Sequence, residues 1–165
     1  NHNPIALGAT YLDKESYTLR AFLKLRTHMP THRTTCRVIY GDTDNMGQAY
    51  YGNYFRWFEI GRNELFRSMG LAYSSVEDQG IFLPVAEAYC KYVMPAKYDD
   101  RLIIETTLDT QLKGAIRFDY RIYSEGTQAL LALGYSKHAC LNRDDKVVLP
   151  PRFIKEIIEK NIQKF

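Results

Sequence analysis

One long helix with a broad aromatic face is the feature that most limits the folds open to this chain. From about Tyr51 to Met69, apolar residues recur every three or four positions, which is the period of an amphipathic helix. The residues that share this period are Phe55, Phe58, Arg62, Leu65, Phe66 and Met69. Gly70 is well placed to end the helix. Such a face must be buried against a second layer of structure.

The rest of the chain supplies strands for that second layer. The segments with a strand-like pattern are TTCRVIY before the helix and VAEAYCKYVMP, RLIIETTLDTQL, AIRFDYRIYS and ALLALGYSKHACLN after it. Several alternate apolar and polar residues, which predicts one packed face and one wetter face. Hairpin turns are predicted at 112–114 and 125–126, and RFIKEIIEKNI is predicted to be a closing helix. The fold class predicted is α+β, with about five antiparallel strands wrapped around one long central helix.

The length of 165 residues predicts one domain with a sizeable core. Residues 1–28 have a weaker pattern and are interpreted as an N-terminal extension of unknown role, leaving 29–165 as a single domain. The net charge of +3 is mild and the basic residues are dispersed, so no nucleic-acid partner is predicted. No apolar run approaches the ~20 residues that a membrane span needs.

The cysteines indicate a reducing compartment. Cys36, Cys90 and Cys140 are odd in number and far apart, so they fit neither a disulfide framework nor a zinc site. No secretory signal precedes them, and the expected location is cytoplasmic. No cluster of residues has metal-ligand spacing, so neither a metal nor a cofactor is predicted.

Paired acids stand just before the aromatic helix, in the segment YGDTDNMGQAYYGNYFRWFEIGR. The start of this segment resembles a calcium loop, with acids at loop positions one and three and glycine at six. Positions five and twelve, however, are Met46 and Asn53, where calcium needs an oxygen ligand and a bidentate glutamate. The calcium interpretation therefore fails. For Asp42 a structural role in capping the loop is favoured.

Asp44 has a more specific setting. Gly47 allows a close backbone approach, and the first helical turn leaves the N–H groups near Tyr51 and Gly52 without internal partners. Such a helix end carries partial positive charge and can stabilise a developing oxyanion. The segment can therefore present a carboxylate and an oxyanion hole beside an aromatic slot, which suits attack on a carbonyl carbon.

The run RVIYGDTDNMGQAYYGNYFRWFEIGRNELFR resembles the signature of the hotdog-fold acyl-CoA thioesterases of the 4-hydroxybenzoyl-CoA thioesterase type. That family includes the Tol-Pal-associated short-chain thioesterases. The segment LPVAEAYCKYVMPAKYDDRLIIETTL is similar to the family's next two strands, and the resemblance extends from about Thr34 to Phe153. It implies a hotdog fold and hydrolysis of an acyl-CoA substrate. It also implies a homodimer or homotetramer with active sites between subunits.

The resemblance assigns roles to particular residues. The second acid of the family's D-x-D pair is its catalytic carboxylate and corresponds to Asp44, as nucleophile or general base. The family's oxyanion donor, a backbone N–H at the helix start, corresponds to Tyr51, with Gly52 beside it. Tyr40 matches a tyrosine four residues before the acid in the short-chain branch. That branch often has a histidine seven residues after the acid, and Tyr51 stands there in this chain.

Four further residues are candidates for a part in the same reaction. His138 is an alternative base, although a strand histidine satisfied within the core is favoured. Lys113 lies in a turn where the family places basic residues and is a candidate for binding the phosphates of coenzyme A, with Arg117 and Arg143 as weaker candidates.

A non-catalytic acyl-CoA-binding protein is the alternative function. A dehydratase of the same fold is less favoured, because those enzymes usually pair an acid with a histidine and none lies near this motif.

Overall fold

The computed structural model describes residues 29–109 and 114–162 of the chain. The predicted extension, residues 1–28, and Lys113 lie outside the described residues, so the predicted domain boundary is not tested. The elements follow one another as β1 (Thr31–Arg37), a 3₁₀ turn (Tyr40–Asp42), α1 (Asn53–Ser68), α2 (Tyr73–Asp78), β2 (Val85–Tyr92), β3 (Arg101–Asp109), β4 (Ala115–Ser124), β5 (Leu130–Leu141), β6 (Val147–Val148) and α3 (Arg152–Ile162).

Across these described residues, six strands form one antiparallel sheet in the order β1-β3-β4-β5-β2, and the two-residue β6 pairs with β5. The long helix α1 lies against this sheet. The predicted α+β hotdog fold is therefore confirmed, with β6 as a short addition to the five predicted strands. None of the described helices combines the length and the apolar character that a membrane crossing requires.

Helix α1 packs on β1, β3 and β4, and its aromatic face meets β4. The ring of Phe58 stacks on Tyr120 with centroids 4.3 Å apart, and Phe66 meets Phe118 edge-on at 5.4 Å. The four rings of these two contacts are among the largest fully buried side chains of the described residues. The helix ends at Ser68, and Gly70 follows in the left-handed conformation that the sequence predicts.

The buried face of α1 is rotated from the predicted one near its N-terminus. Phe55 is 38% exposed, whereas Tyr54 and Trp57 are only 2% and 1% exposed. The rings of Tyr54 and Trp57 contact each other at 4.8 Å and close the first turn of the helix over the sheet. The apolar stripe is wide enough to permit either face, so the position of the sheet decides which one is buried.

Strand β2 departs from the prediction of one packed and one wetter face. It is the last strand on its side of the sheet, and seven of its eight residues are exposed, Cys90 being the half-buried one. The helix meets this strand at its end, where the ring of Tyr92 packs edge-on against that of Tyr54 at 4.9 Å. An edge strand with both faces open carries unpaired backbone groups along its outer side.

Candidate active site

The loop between the 3₁₀ turn and α1 is folded tightly on itself. Thr43 and Ala49 form a short antiparallel bridge, and the N–H of Asp44 donates to the carbonyl of Gln48 at 2.8 Å. Gly47, with φ of +71°, donates back to the carbonyl of Asp44 at 3.0 Å. The left-handed turn at Gly47 is one that residues with a side chain rarely adopt. The loop therefore holds Asp44 in a defined place.

The two carboxylate oxygens of Asp44 differ in their hydrogen bonding within the described residues. Its Oδ1 accepts a hydrogen bond from the N–H of Met46 at 2.8 Å, with the N–H of Gln48 more distant at 3.4 Å. No residue in 29–109 or 114–162 bonds to its Oδ2. The side chain is half-buried. One oxygen thus fixes the orientation of the carboxylate while the other remains available for chemistry.

The other acid of the pair, Asp42, has a structural environment. Asp42 is 4% exposed, forms an ion pair with Arg56, and accepts the N–H of Ile39 at 3.1 Å. Its backbone carbonyl accepts from the N–H of Tyr50 and from the side chain of Asn53, each at 2.8 Å. Both carboxylate oxygens are therefore engaged in holding the loop to the helix, as the structural interpretation predicts.

The opening of α1 leaves backbone donors unpaired. The helix begins at Asn53, its N-cap residue Gly52 provides no side chain, and the side chain of Asn53 turns away to the carbonyl of Asp42. Among the described residues, no acceptor receives the N–H of Tyr51 or of Gly52. These donors lie at the positive end of the helix, where they favour negative charge.

Asp44 and Tyr51 line the same cleft, which has a volume of about 360 Å³. Its walls are formed by Asp44, Met46, Gln48, Ala49, Tyr51, Tyr54, Tyr92, Val93, Met94 and Pro95. Most of these side chains are apolar or aromatic, and Asp44 is the one acidic side chain among these lining residues. A concave and mostly apolar cleft of this size can hold an acyl group.

The other predicted site residues lie elsewhere or outside the described part. Gly52 follows the lining residue Tyr51 directly but is not itself in the wall. Tyr40 is 80% exposed and its ring meets Tyr98 edge-on at 6.0 Å. It is not among the residues that line the cleft. Lys113 belongs to the residues that the structure does not describe, so its predicted contact with phosphates stays a prediction.

His138 is a core residue. It is fully buried and absent from the lining of the cleft. Its Nδ1 lies 2.9 Å from the carbonyl of Leu83, which can only accept, so Nδ1 carries the proton and Nε2 faces Ser136 at 2.9 Å and Arg62 at 3.3 Å. Burial lowers the pKa of His138 to about 4, because the charged form would lose its solvation. The favoured interpretation, a neutral histidine satisfied within the core, agrees with these contacts.

The weaker cationic candidates are engaged within the fold. Arg117 forms an ion pair with Asp119 at 2.7 Å and lies over the ring of Tyr135 at 4.1 Å. Arg143 donates to the carbonyl of Asp78 at 3.2 Å. Neither belongs to the lining of the cleft. Both positions are explained by packing and local hydrogen bonds.

A thiol nucleophile is not favoured near the cleft. Cys90 lies two residues before the lining residue Tyr92, and burial is the main cause that raises the pKa of its thiol to about 11. The thiolate is the reactive form of cysteine, so this thiol is unreactive at neutral pH. Asp44 is the acidic side chain among the residues that line the cleft.

Sequence reasoning missed several residues of the cleft wall. Tyr92, Val93, Met94 and Pro95 come from the end of β2 and the loop after it, about fifty residues beyond Asp44 in the chain. Tyr92 also donates its hydroxyl to the carbonyl of Tyr51 at 3.1 Å, joining the edge strand to the opening of the helix. Its position on an alternating strand is the one sequence signal that could have marked it.

Comparison with known proteins gives consistent matches. The sequence profile of the Thioesterase-like superfamily matches residues 38–158. The acyl-CoA thioesterase YbgC of Haemophilus influenzae is 32% identical over 123 residues, covering 73% of this chain and 87% of that protein. A crystal structure of a hypothetical protein from Aquifex aeolicus is 31% identical with a TM-score of 0.72, covering 77% of this chain and 98% of that one. The DHNA-CoA thioesterase of Staphylococcus aureus is 26% identical with a TM-score of 0.73, covering 81% and 91% respectively.

Proposed function

The chain belongs to the Thioesterase-like superfamily, and from this membership we propose that it hydrolyses an acyl-CoA thioester to a free acid and coenzyme A. The observation that carries the proposal is the shared cleft, in which the free oxygen of Asp44 lies in the same wall as Tyr51 at the uncapped opening of α1. Curated relatives are named acyl-CoA thioesterases, which agrees with this reaction. The wall supplies the two elements that acyl transfer needs, a carboxylate and backbone donors.

The thioester carbonyl binds with its oxygen toward the N–H groups of Tyr51 and Gly52. As oxygen attacks the carbonyl carbon, negative charge develops on the carbonyl oxygen, and one such donor contributes about 3 kcal/mol to stabilising the transition state. The carbon–sulfur bond then breaks and coenzyme A leaves as a thiolate. Because a thiolate is a good leaving group, the wall of the cleft needs no strong general acid.

Asp44 acts by one of two routes. In the first, its Oδ2 attacks the carbonyl carbon and forms a mixed anhydride, which water then hydrolyses to the free acid and the regenerated carboxylate. In the second, Oδ2 removes a proton from a water molecule that attacks directly. The hydrogen bond that anchors Oδ1 suits either route, since it leaves the second oxygen free.

The direct test is a thiol-release assay over short, medium, long and aromatic acyl-CoAs. We expect thiol release from at least one class, at a rate proportional to enzyme concentration. The alternative function, a non-catalytic acyl-CoA-binding protein, has a different outcome in the same experiment. If calorimetry shows tight binding of an acyl-CoA and no member of the panel releases thiol, the result would contradict the thioesterase and support the non-catalytic binding protein.

We also propose that the protein is a homodimer or homotetramer with active sites between subunits. The edge strand β2 is exposed on both faces, and Tyr89, Tyr92, Val93 and Met94 are each more than 40% exposed. An open strand edge beside an exposed apolar patch is an association surface. Because Tyr92, Val93 and Met94 also line the cleft, a second subunit paired on β2 would extend the cleft wall.

Ala88→Arg tests this assembly. Ala88 is exposed near the middle of β2, and two arginines brought together across a strand pair would repel each other. Since like charges across an interface cost several kcal/mol, we expect a monomer in sedimentation analysis and a turnover lower by about tenfold or more. Ser74→Arg, an exposed position on α2, is the matched control and should change neither quantity. A monomeric Ala88→Arg protein with full turnover would contradict active sites shared between subunits.

The remaining proposals concern the ligand and its compartment. Lys113 is proposed to bind the phosphates of coenzyme A, and the reaction as written uses no metal and no cofactor. The described cysteines Cys36, Cys90 and Cys140 are free thiols, which is typical of the reducing cytoplasm where acyl-CoA substrates occur. We therefore propose a cytoplasmic enzyme.

A further inference from the structure

The hydroxyl of Tyr92 makes a contact that no catalytic role yet explains. Tyr92 is the last residue of β2, and its hydroxyl donates to the backbone carbonyl of Tyr51 at 3.1 Å. The contact joins two segments 41 residues apart in sequence. It ends on the peptide unit that immediately precedes the helix.

The geometry of a peptide unit makes this contact directional. In a planar trans peptide the C=O of one residue and the N–H of the next point in opposite directions. The described residues contain no cis peptide bond. A donor that holds the carbonyl of Tyr51 therefore also sets the direction of the N–H of Gly52, which is unpaired among the described residues.

The helix itself holds this peptide unit weakly. The N–H of Tyr54 lies 3.4 Å from the same carbonyl, which is longer than an ordinary hydrogen bond. No side chain caps α1, and the residue at the N-cap is Gly52, which has wide conformational freedom. The hydroxyl of Tyr92 is consequently the shorter of the hydrogen bonds to this carbonyl.

We propose that Tyr92 is a positioning residue for the reaction, because it orients the Tyr51–Gly52 peptide unit so that its N–H faces the developing oxyanion. The inference rests on the proposed function. Tyr92 acts through the backbone of the helix opening and forms no bond with the substrate. In this proposal the edge strand β2, through Tyr92, helps to orient a backbone donor of the oxyanion hole.

The surroundings of Tyr92 keep its hydroxyl in place and protonated. Its ring meets the buried ring of Tyr54 edge-on at 4.9 Å, which restricts its rotation. Burial, with a smaller contribution from Cys90, raises the pKa of Tyr92 to about 12. The hydroxyl is thus a hydrogen-bond donor throughout the pH range of an ordinary assay.

Tyr92→Phe removes the hydroxyl and keeps the ring. We expect kcat to fall by about three- to tenfold, the effect of losing one neutral hydrogen bond, with KM within about twofold of wild type. The ratio of wild-type to variant kcat should stay constant from about pH 6 to 9, since the hydroxyl does not titrate there. Tyr123→Phe is the matched control, because Tyr123 lies on β4 outside the lining of the cleft and its hydroxyl bonds to none of the described residues.

A measurement independent of turnover accompanies the kinetics. In labelled protein, the carbonyl ¹³C shift of Tyr51 and the amide ¹⁵N shift of Gly52 should both move in Tyr92→Phe and stay unchanged in Tyr123→Phe. Unmoved shifts, or a raised KM with an unchanged kcat, would overturn the positioning role while leaving the proposed function intact. Failure of the wild type to release thiol from any acyl-CoA would overturn both, whatever the shifts show.

Discussion

Asp44→Asn is expected to lower the turnover of the best acyl-CoA by about 10²- to 10⁴-fold, the range associated with losing a general base. The amide is nearly the same shape as the carboxylate but can neither attack the thioester nor take a proton from water. The amide oxygen can still accept the N–H of Met46, so the loop should keep its fold. Thiol release and calorimetric binding of a non-hydrolysable acyl-CoA analogue, measured on the same preparation, separate catalysis from binding.

Asp42→Asn is the matched comparison, since the two acids are separated by a single residue. Asp42 is buried against Arg56 and forms no part of the cleft wall. Its loss should appear in stability, by about 1–2 kcal/mol because Arg56 is half exposed and the pair is partly screened. Turnover by the folded Asp42→Asn protein should stay close to wild type. Equal thiol release by wild type and Asp44→Asn would remove Asp44 from the mechanism.

Gly134→Ala should be the most damaging of the small core substitutions, costing about 3 kcal/mol of folding free energy. Gly134 lies on β5 opposite Cys90 of β2, under the aromatic helix. A Cβ there would meet the backbone carbonyl of Tyr89 far inside 3.0 Å and the ring of Phe58 at 2.8 Å. Neither neighbour is free to move, because the first is part of a strand and the second stacks on Tyr120.

Urea unfolding followed by tryptophan fluorescence measures this loss, since Trp57 lies in the same core. Gly126→Ala is the control, because a Cβ at that exposed turn has no atom within 4 Å. It should leave stability unchanged or slightly raised, as the unfolded chain loses freedom. A Gly134→Ala protein as stable as wild type would contradict the close packing of β2, β5 and the helix around Gly134.

Much of the fold follows from sequence periodicity. The alternating strands and the single aromatic helix define an α+β fold because one apolar face requires one sheet. Periodicity could not decide which side of the helix start is buried, and Tyr54 and Trp57 replace Phe55 there. It also failed at β2, since being last in the sheet is a property of strand order and not of the strand's own residues.

Part of the candidate site could also be predicted from the sequence, and part of it could not. Asp44 and Tyr51 are close in the chain, so a local motif could place them in one cleft. Tyr92 and Met94 reach that cleft only because the sheet curves past the helix opening, and no local pattern encodes such a contact. The roles of Tyr40 and Lys113 stay predictions, the first because its exposed ring lies off the cleft and the second because it falls outside the described residues.

A crystal structure of the Asp44→Asn protein with an intact acyl-CoA tests most directly whether the carboxylate and the helix opening act on one carbonyl. The thioester carbonyl oxygen should lie about 2.7–3.1 Å from the backbone nitrogen of Tyr51 or Gly52, the spacing of an oxyanion donor. The side chain of residue 44 should lie about 3–3.5 Å from the carbonyl carbon, within reach of attack. A thioester bound outside this cleft, or one whose carbonyl faces away from the helix opening, would contradict the proposed active site.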